Sequence, residues 1–346
     1  MESQCVKYLC ELSRPALMRT ILTAAVACSA FYVAQPVRAA DSAASEAQNY
    51  PNRPVRLIDP YAPGGGSGVV ARLIGAKLAD AWGKQIVVDN RPGAAAAIGT
   101  ELAVKAVPDG YTLLMGTSGS IAISPNVNKV PYDPIKDLVP ITQTSGQAML
   151  VVLHPSVPIS SVKELIAAAK AQPDKLNYSS SGTGGSGHLA AELFQSIAKV
   201  TMTHVPYKGS GPAVLAILGG EVQLGFTNIL AVLPHVNAGR LKAIAVTSAK
   251  RANAVPNVAT LAEAGVPGYE ATSWNGMFAP AKTPRAIIDK IHAEVVKALN
   301  APDVREKLVA MGSDPVGSTP EEFSAFIQQE HTRWGKVIRE NNIRAE

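Results

Sequence analysis

From Val55 to about residue 248, short continuous apolar runs alternate with stretches in which apolar residues recur every three or four positions. The runs VRLIDPYA (55–62), KQIVVDN (84–90) and YTLLMGT (111–117) read as strands. Between them, Val70, Leu73, Ile74, Leu78 and Ala81 carry a helix through Trp82, and the Ala-rich segment 94–106 carries a second. This βαβαβ opening predicts a parallel sheet with right-handed crossovers. The same logic resumes with AMLVVLHP (148–155) and a capping box, Ser161-Val162-Lys163-Glu164, that opens helix 161–171. Strand 176–181 with helix 188–199, THVPYK with helix 211–218, VQLGFTN with helix 229–238, and finally LKAIAVTS complete the second half. Past Pro280 the chain turns helical: Pro284 starts helix 284–300, and Thr319-Pro320-Glu321-Glu322 starts helix 319–341. A strand-poor tail of this kind is expected to pack back on the first half. The pattern predicts two α/β lobes, residues 50–147 plus 274–346 and residues 148–273.

At five strand-to-helix junctions the chain is rich in Gly, Ser and Thr: PYAPGGGSG (60–68), GTSGS (116–120), SSSGTGGSG (179–187), PYKGSG (206–211) and GFTN (225–228). Each places backbone N–H groups and hydroxyls near a helix N-terminus, where the first amides lack intrahelical partners and the macrodipole is positive. Such places suit a carboxylate or phosphate. The loops at the carboxyl ends of the strands are also where open α/β sheets bind ligands.

The N-terminus predicts export. Residues 20–34 are apolar, lie behind Arg14 and Arg19, and are followed by Val37-Arg38-Ala39, the anatomy of a signal peptide (1–40) cleaved near Ala39. A polar tether, 41–49, follows, and Met18 is an alternative start. All three cysteines (Cys5, Cys10, Cys28) precede the cleavage site, which leaves the mature chain without thiol chemistry; lipidation at Cys28 stays open. Of 32 basic and 27 acidic residues, four and two lie before residue 40, so the mature balance is 28 against 25. The charges are interspersed, which argues against a nucleic-acid partner.

Three enzyme classes fit poorly. Gly182, Gly184 and Gly187 formally match a dinucleotide fingerprint, the alternative reading of an oxidoreductase, but no acid follows about 20 residues on. No GxSxG elbow occurs, and Gly187 is followed by His188 and Leu189 rather than by a P-loop Lys-Ser. The six histidines are scattered without metal-ligand spacing. No catalytic residue, metal or cofactor is therefore expected.

The segments YPNRPVRLIDPYAPGGGSGVVARLIGAKL, NRPGAAAAIGT, PDGYTLLMGT, YDPIKDLVPI, SSGTGGSGHLAAELF, VPYKGSGPAV, LPHVNAGRLKAIAVTS and WNGMFAPAKTP, in this order, resemble the Bug family. These are the extracytoplasmic solute-binding receptors of tripartite tricarboxylate transporters. The resemblance covers essentially all of residues 50–346. It implies a periplasmic, two-lobed binding protein (Venus flytrap, type II) with mostly parallel sheets flanked by helices, monomeric, closing on a small carboxylate and presenting it to a membrane permease or to a sensor. Gly64, Gly65, Gly66 and Ser67, with Thr117, Ser118 and Ser120, would hold one end of the ligand. Ser180, Ser181, Gly182, Gly184 and Ser186 would hold the other, with Tyr207, Gly209, Thr227 and Asn228 closing the wall. Tyr61 and Trp274 are candidates to stack on the ligand's body. Two departures stand out: Gly68 and Thr227 occupy positions where the family usually has Asp. Both remove a negative charge from the expected cleft, which favours a non-amino mono- or dicarboxylate. The strands that cross between the lobes are expected near 142–150 and 271–278.

Overall fold

Two sheets share one long strand. The computed structural model describes residues 48–343; the expected signal peptide, Cys28 and most of the tether fall outside them. In chain order the main elements are β1 (Val55–Asp59), α1 (Gly66–Trp82), β2 (Ile86–Asn90), α2 (Ala97–Val104), β3 (Thr112–Thr117), β4 (Leu138–Leu153), α3 (Val162–Ala171), β5 (Asn177–Ser180), α4 (Ser186–Ala198), β6 (Thr203–Pro206), α5 (Ser210–Leu218), β7 (Leu224–Asn228), α6 (Ile229–Asn237), β8 (Lys242–Val246), β9 (Thr272–Pro280), α7 (Arg285–Asn300), α8 (Pro302–Ala310), β10 (Ser313–Pro315) and α9 (Pro320–Glu340). A π-helical segment, Ser118–Ile123, follows β3 directly.

The first sheet runs β2-β1-β3-β9-β4, with β10 on the far side of β4. β1 pairs in parallel with β2 and β3, as the βαβαβ pattern predicts, whereas β9 runs antiparallel to both β3 and β4. The second sheet sets β5 in parallel between β6 and β7. It borrows the end of β4, Met149–Leu153, which lies antiparallel between β7 and β8. β4 thus leaves the first sheet at Ala148 and enters the second at Met149, while Ala271 N donates to Thr247 O immediately before β9 begins. From Pro51 onward the chain forms one unit, since the shared strand fuses the two sheets.

Helices cover the sheets because one stripe of each is apolar. α1 buries Val70, Ala71, Ile74 and Leu78 and stops at Gly83, whose φ of 60° makes a left-handed cap. α9 opens on the capping box of Thr319 and Glu322 and buries Phe323, Ile327, Trp334 and Ile338. It lies so close to β9 that a Cβ on Gly276 would stand 2.1 Å from Phe323 Cζ. Trp274 completes this packing, its ring edge-on to Phe323 and Phe326. Fully burying an aromatic side chain contributes about 1.5–3 kcal/mol, so the tail is anchored at the strand that borders the crossing.

Candidate functional site

β1, β3, β5 and β7 all end at one cavity of about 40 Å³ between the sheets. Its wall carries Tyr61, Gly65, Gly66, Ser67 and Thr117 from the first sheet's loops, and Ser181, Ser186, Thr227 and Asn228 from the second's. A single water needs at least about 10–15 Å³ on the same measure, so the space suits a small solute, and a dinucleotide has no room.

Three helices point bare N-termini at this cavity. α1, α4 and α5 have glycine N-caps (Gly65, Gly185, Gly209), and none receives a side-chain cap. The residues just inside them, Gly66, Ser67, Ser186, Gly187 and Ser210, line the wall. Their first-turn amides are donors for an anion, and the three dipoles add positive potential. No lining side chain carries a formal charge. The wall therefore offers N–H groups and hydroxyls, which can meet an ionised carboxylate's need for donors without a buried counter-charge.

The other two loops are spent on themselves. Thr117 Oγ1 accepts from Ser120 N at 3.2 Å while Ser120 Oγ accepts from Thr117 N at 3.0 Å, a reciprocal cap on the π-helical segment. Thr117 Oγ1 also meets the Tyr61 hydroxyl at 3.1 Å, and burial pushes the Tyr61 phenol far above its ordinary range. Asn228 Oδ1 accepts from Leu230 N at 3.0 Å and so caps α6.

The remaining expected residues lie around the cavity rather than on its wall. Ser118 Oγ bonds Ser186 Oγ at 2.9 Å and Ser273 Oγ at 3.2 Å, tying the end of β3 to the start of α4. Ser120 is buried beneath Thr117. Ser180 turns inward, its hydroxyl on His204 Nε2 at 2.7 Å. Gly182, with φ 127°, borders an outer pocket with Tyr207, Lys129 and Lys208. Gly184 donates its N–H to His188 Nδ1 at 3.1 Å, and a Cβ there would stand 2.5 Å from Asn128 Nδ2. Gly64 and Gly209 face each other's loops: a Cβ on Gly209 would come within 3.1 Å of Ala62 N, and one on Gly64 within 3.4 Å of Gly211 Cα. Ala62 N also donates to Lys208 O at 3.0 Å. These contacts hold the two sheets' loops together around the cavity. Trp274 sits in the core, only 1% exposed, its indole N–H on Glu330 at 3.2 Å.

Sequence reading missed Met149, Gly187, Ser210, Ala213, Phe226, Ser273 and Asn275 on the wall. Strand alternation held the signal for two of them: Ser273 and Asn275 flank Trp274 on β9 and therefore share the opposite face. One expectation needs correction. Gly68 does not leave its surroundings without an acid, because Asp59 Oδ2 lies 2.9 Å from where a Cβ on Gly68 would stand. Asp59 is fully buried and accepts from Ser67 Oγ and Asn90 Nδ2, both at 2.9 Å; burial nevertheless pushes its carboxyl up to about 6. Among the described residues no cluster of His, Cys, Asp and Glu has the makings of a metal site, and no helix is long and apolar enough to cross a membrane.

Residues 70–343 match the model of the tripartite tricarboxylate transporter family receptor. Three solved structures align over nearly their whole length. The periplasmic binding protein BugD is 30% identical with a TM-score of 0.83 over 86% of this chain and 100% of its own. Rpa4515 of R. palustris, solved with adipate, is 36% identical with a TM-score of 0.83 over 85% and 99%. MatC (Rpa3494) of Rhodopseudomonas palustris, solved with bound malate, is 32% identical with a TM-score of 0.81 over 84% and 100%. The glycine-led cavity thus sits in a periplasmic-binding-protein fold, and the chain belongs to the family of tripartite tricarboxylate transporter receptors that includes the Bug proteins.

Proposed function

We propose that this chain is an exported receptor that captures a small carboxylate between two lobes, 50–147 with 274–346 and 148–273, and delivers it to a membrane permease. The observation that carries this reading is the convergence of three uncapped, glycine-led helix N-termini from both sheets on one cavity with no charged lining. The bound adipate and malate of Rpa4515 and MatC support it. The amides after Gly65 would take one carboxylate end and those after Gly185 the other, with Gly64, Tyr61, Thr117, Ser181, Thr227 and Asn228 shaping the space between. Contacts to both lobes favour the closed arrangement, because only differential affinity shifts such an equilibrium.

The same donors disfavour a cation. An α-ammonium would enter the positive field of the α4 and α5 starts, neither of which has an acid in its first turn, so a non-amino mono- or dicarboxylate binds in preference to aspartate or glutamate. Binding without turnover is the expected outcome, since no nucleophile, base and orienter stand together on the wall. Calorimetry on the mature protein decides between the matched acids. Succinate should bind at least about tenfold more tightly than aspartate, about 1.4 kcal/mol, and tighter aspartate binding overturns the preference. A bound ligand at 100 times its dissociation constant should add about 2.7 kcal/mol of stability. Mass spectrometry of the incubated ligand checks for product, and product formed in proportion to protein would make the chain an enzyme.

A further inference from the structure

Asp59 is a buried acid that the anion cavity has no evident use for, yet it touches the wall. β1 ends on it, and α1, the helix whose N-terminus faces the cavity, carries neither an acid in its first turn nor a side-chain cap. Gly68 is the third residue of that helix. A Cβ there would stand 2.9 Å from Asp59 Oδ2 and 2.9 Å from Arg72 Nη2, so position 68 and the Asp59 carboxylate address one space. Arg72 on α1 is the charged group facing the acid, with the Tyr61 backbone on the connecting loop and neutral Asn90 on β2; Asp89, next along β2, is held by Arg56 and Arg91. An acid at the end of the strand thus gives α1 the negative charge that its first turn lacks.

The consequence for the cavity runs through Ser67. A serine hydroxyl has one proton and two lone pairs. Ser67 gives its proton to Asp59 Oδ1 at 2.9 Å, and the same residue lines the cavity. Toward a ligand it therefore offers lone pairs, on a wall otherwise made largely of donors. We propose that Asp59 is a specificity-determining positioning residue: it fills the space of position 68 and fixes Ser67 as an acceptor, so the cavity selects carboxylates that carry a neutral donor, a hydroxyl, over the same acids without one. A hydroxyl satisfies the acceptor without bringing positive charge into the field of the helix starts, which an ammonium does. This inference rests on the receptor reading and adds a ligand class to it, the hydroxy-carboxylates.

Two measurements test it. The first needs no ligand. In thermal unfolding at pH 8, Asp59→Ala and Gly68→Asp should each lower the midpoint by roughly 5 °C, and the double variant should recover most of the loss, since one acid again occupies one space. A double variant equal to the sum of the singles overturns the shared position. The second is calorimetry with malate and succinate. Malate should bind at least about tenfold more tightly at pH 7.5, and Ser67→Ala should bring the two within about threefold. The malate preference should shrink as pH falls through about 6, where Asp59 gains a proton of its own and its carboxyl becomes a weaker acceptor for the Ser67 hydroxyl, and should not step in Asp59→Asn, which retains shape and cancels the ligands' own titration. Equal affinity for the two acids in the unsubstituted protein, the same pH step in Asp59→Asn, or binding of neither acid while adipate binds overturns this inference alone; binding of none of the three overturns the receptor reading as well.

Discussion

α1, α4 and α5 begin on glycine and leave their first amides open, whereas the π-helical segment after β3 and α6 begin on Thr117 and Asn228 and close theirs. All five starts lie at the carboxyl ends of strands around one cavity, and all five are rich in small polar residues. The difference lies in the N-cap. Thr and Asn side chains accept from the second or third amide and satisfy it, while glycine satisfies none and lets a ligand come close to the backbone. A bare helix start is slightly less stable than a capped one, and on the proposed function a bound carboxylate would make up that small deficit. On the proposed function, the open starts are the ones that bind and the closed starts the ones that brace.

The comparison breaks most sharply if a bare start is made to cap itself. Gly65→Asp places a carboxylate where the ligand's would lie, and should abolish succinate binding, by about 100-fold or more, 2.7 kcal/mol, while raising unfolding stability by a few tenths of a kcal/mol. Gly184→Val tests the bracing contacts instead. Its φ of 83° disfavours a side chain, and the Cβ would meet Asn128 Nδ2 at 2.5 Å across the cleft. Binding should fall by a similar factor because the loops no longer close. Circular dichroism must show both variants folded. Unchanged calorimetric affinity in Gly65→Asp would mean that α1 is not an anion start.

How far this division was legible in the sequence follows from what a cap is. The alternation of runs and periodic stretches gave most strands and helices to within a few residues, because each of these faces buries an apolar stripe; the helices expected at 284–300 and 319–341 lie at Arg285–Asn300 and Pro320–Glu340, whereas α8 and β10 between them were not foreseen. β4 was harder. The strand seen from 148 begins at Leu138, since Thr142, Gln143, Ser145 and Gln147 lower the hydropathy of a segment buried between β9 and β10. At the site, the five junctions were legible as anion-friendly, but composition alone did not tell a hydroxyl aimed at the cavity from one consumed by a neighbour. Ser120 and Ser180 look like ligand donors in sequence, and each is spent on a local partner. Asp59 is the reverse case: it ends an apolar run and reads as strand punctuation until the fold brings it beside Gly68.

Beneath the loop that opens α4, two buried histidines make the fold sensitive to pH. His188 accepts from Gly184 N and stacks on His204 at 4.2 Å between ring centroids. Burial, with the neighbouring His204 adding to it, pushes His188 down to about 3, and burial pushes His204 down to about 4. Both are therefore neutral in the folded protein while the unfolded chain takes up protons near 6.5. Their stabilisation is complete above about pH 6.5 and is lost as pH falls toward their folded values. At pH 5 the loss is on the order of 2 kcal/mol for each histidine. Asp59 works the other way: its raised pKa means the fold gains on protonation between about pH 6 and 3.8, offsetting on the order of 1–2 kcal/mol at pH 5. Urea unfolding from pH 8 to 5 should thus show a net fall in stability, and His188→Gln should remove about half of the histidine part. An unaltered pH slope in that variant would place the acid sensitivity elsewhere.

The smallest expected effect comes from a start that has no part in the cavity. α9 opens on Thr319, whose hydroxyl accepts from Glu322 N at 3.1 Å while Glu322 Oε2 accepts from Thr319 N at 2.9 Å. Pro320 occupies the first helical position, where its missing N–H costs nothing. This is the same device as the Thr117–Ser120 pair, on the helix that packs over β9. Thr319→Ala removes the acceptor and should cost about 1 kcal/mol of unfolding free energy, a midpoint shift of roughly 2–4 °C. Because α9 packs Phe323 and Phe326 against Trp274 of β9 from the side away from the cavity, carboxylate affinity should stay within about twofold. A binding loss greater than the stability loss would mean that the C-terminal helix couples to closure, and the division between binding and bracing starts would then extend beyond the cavity's own rim.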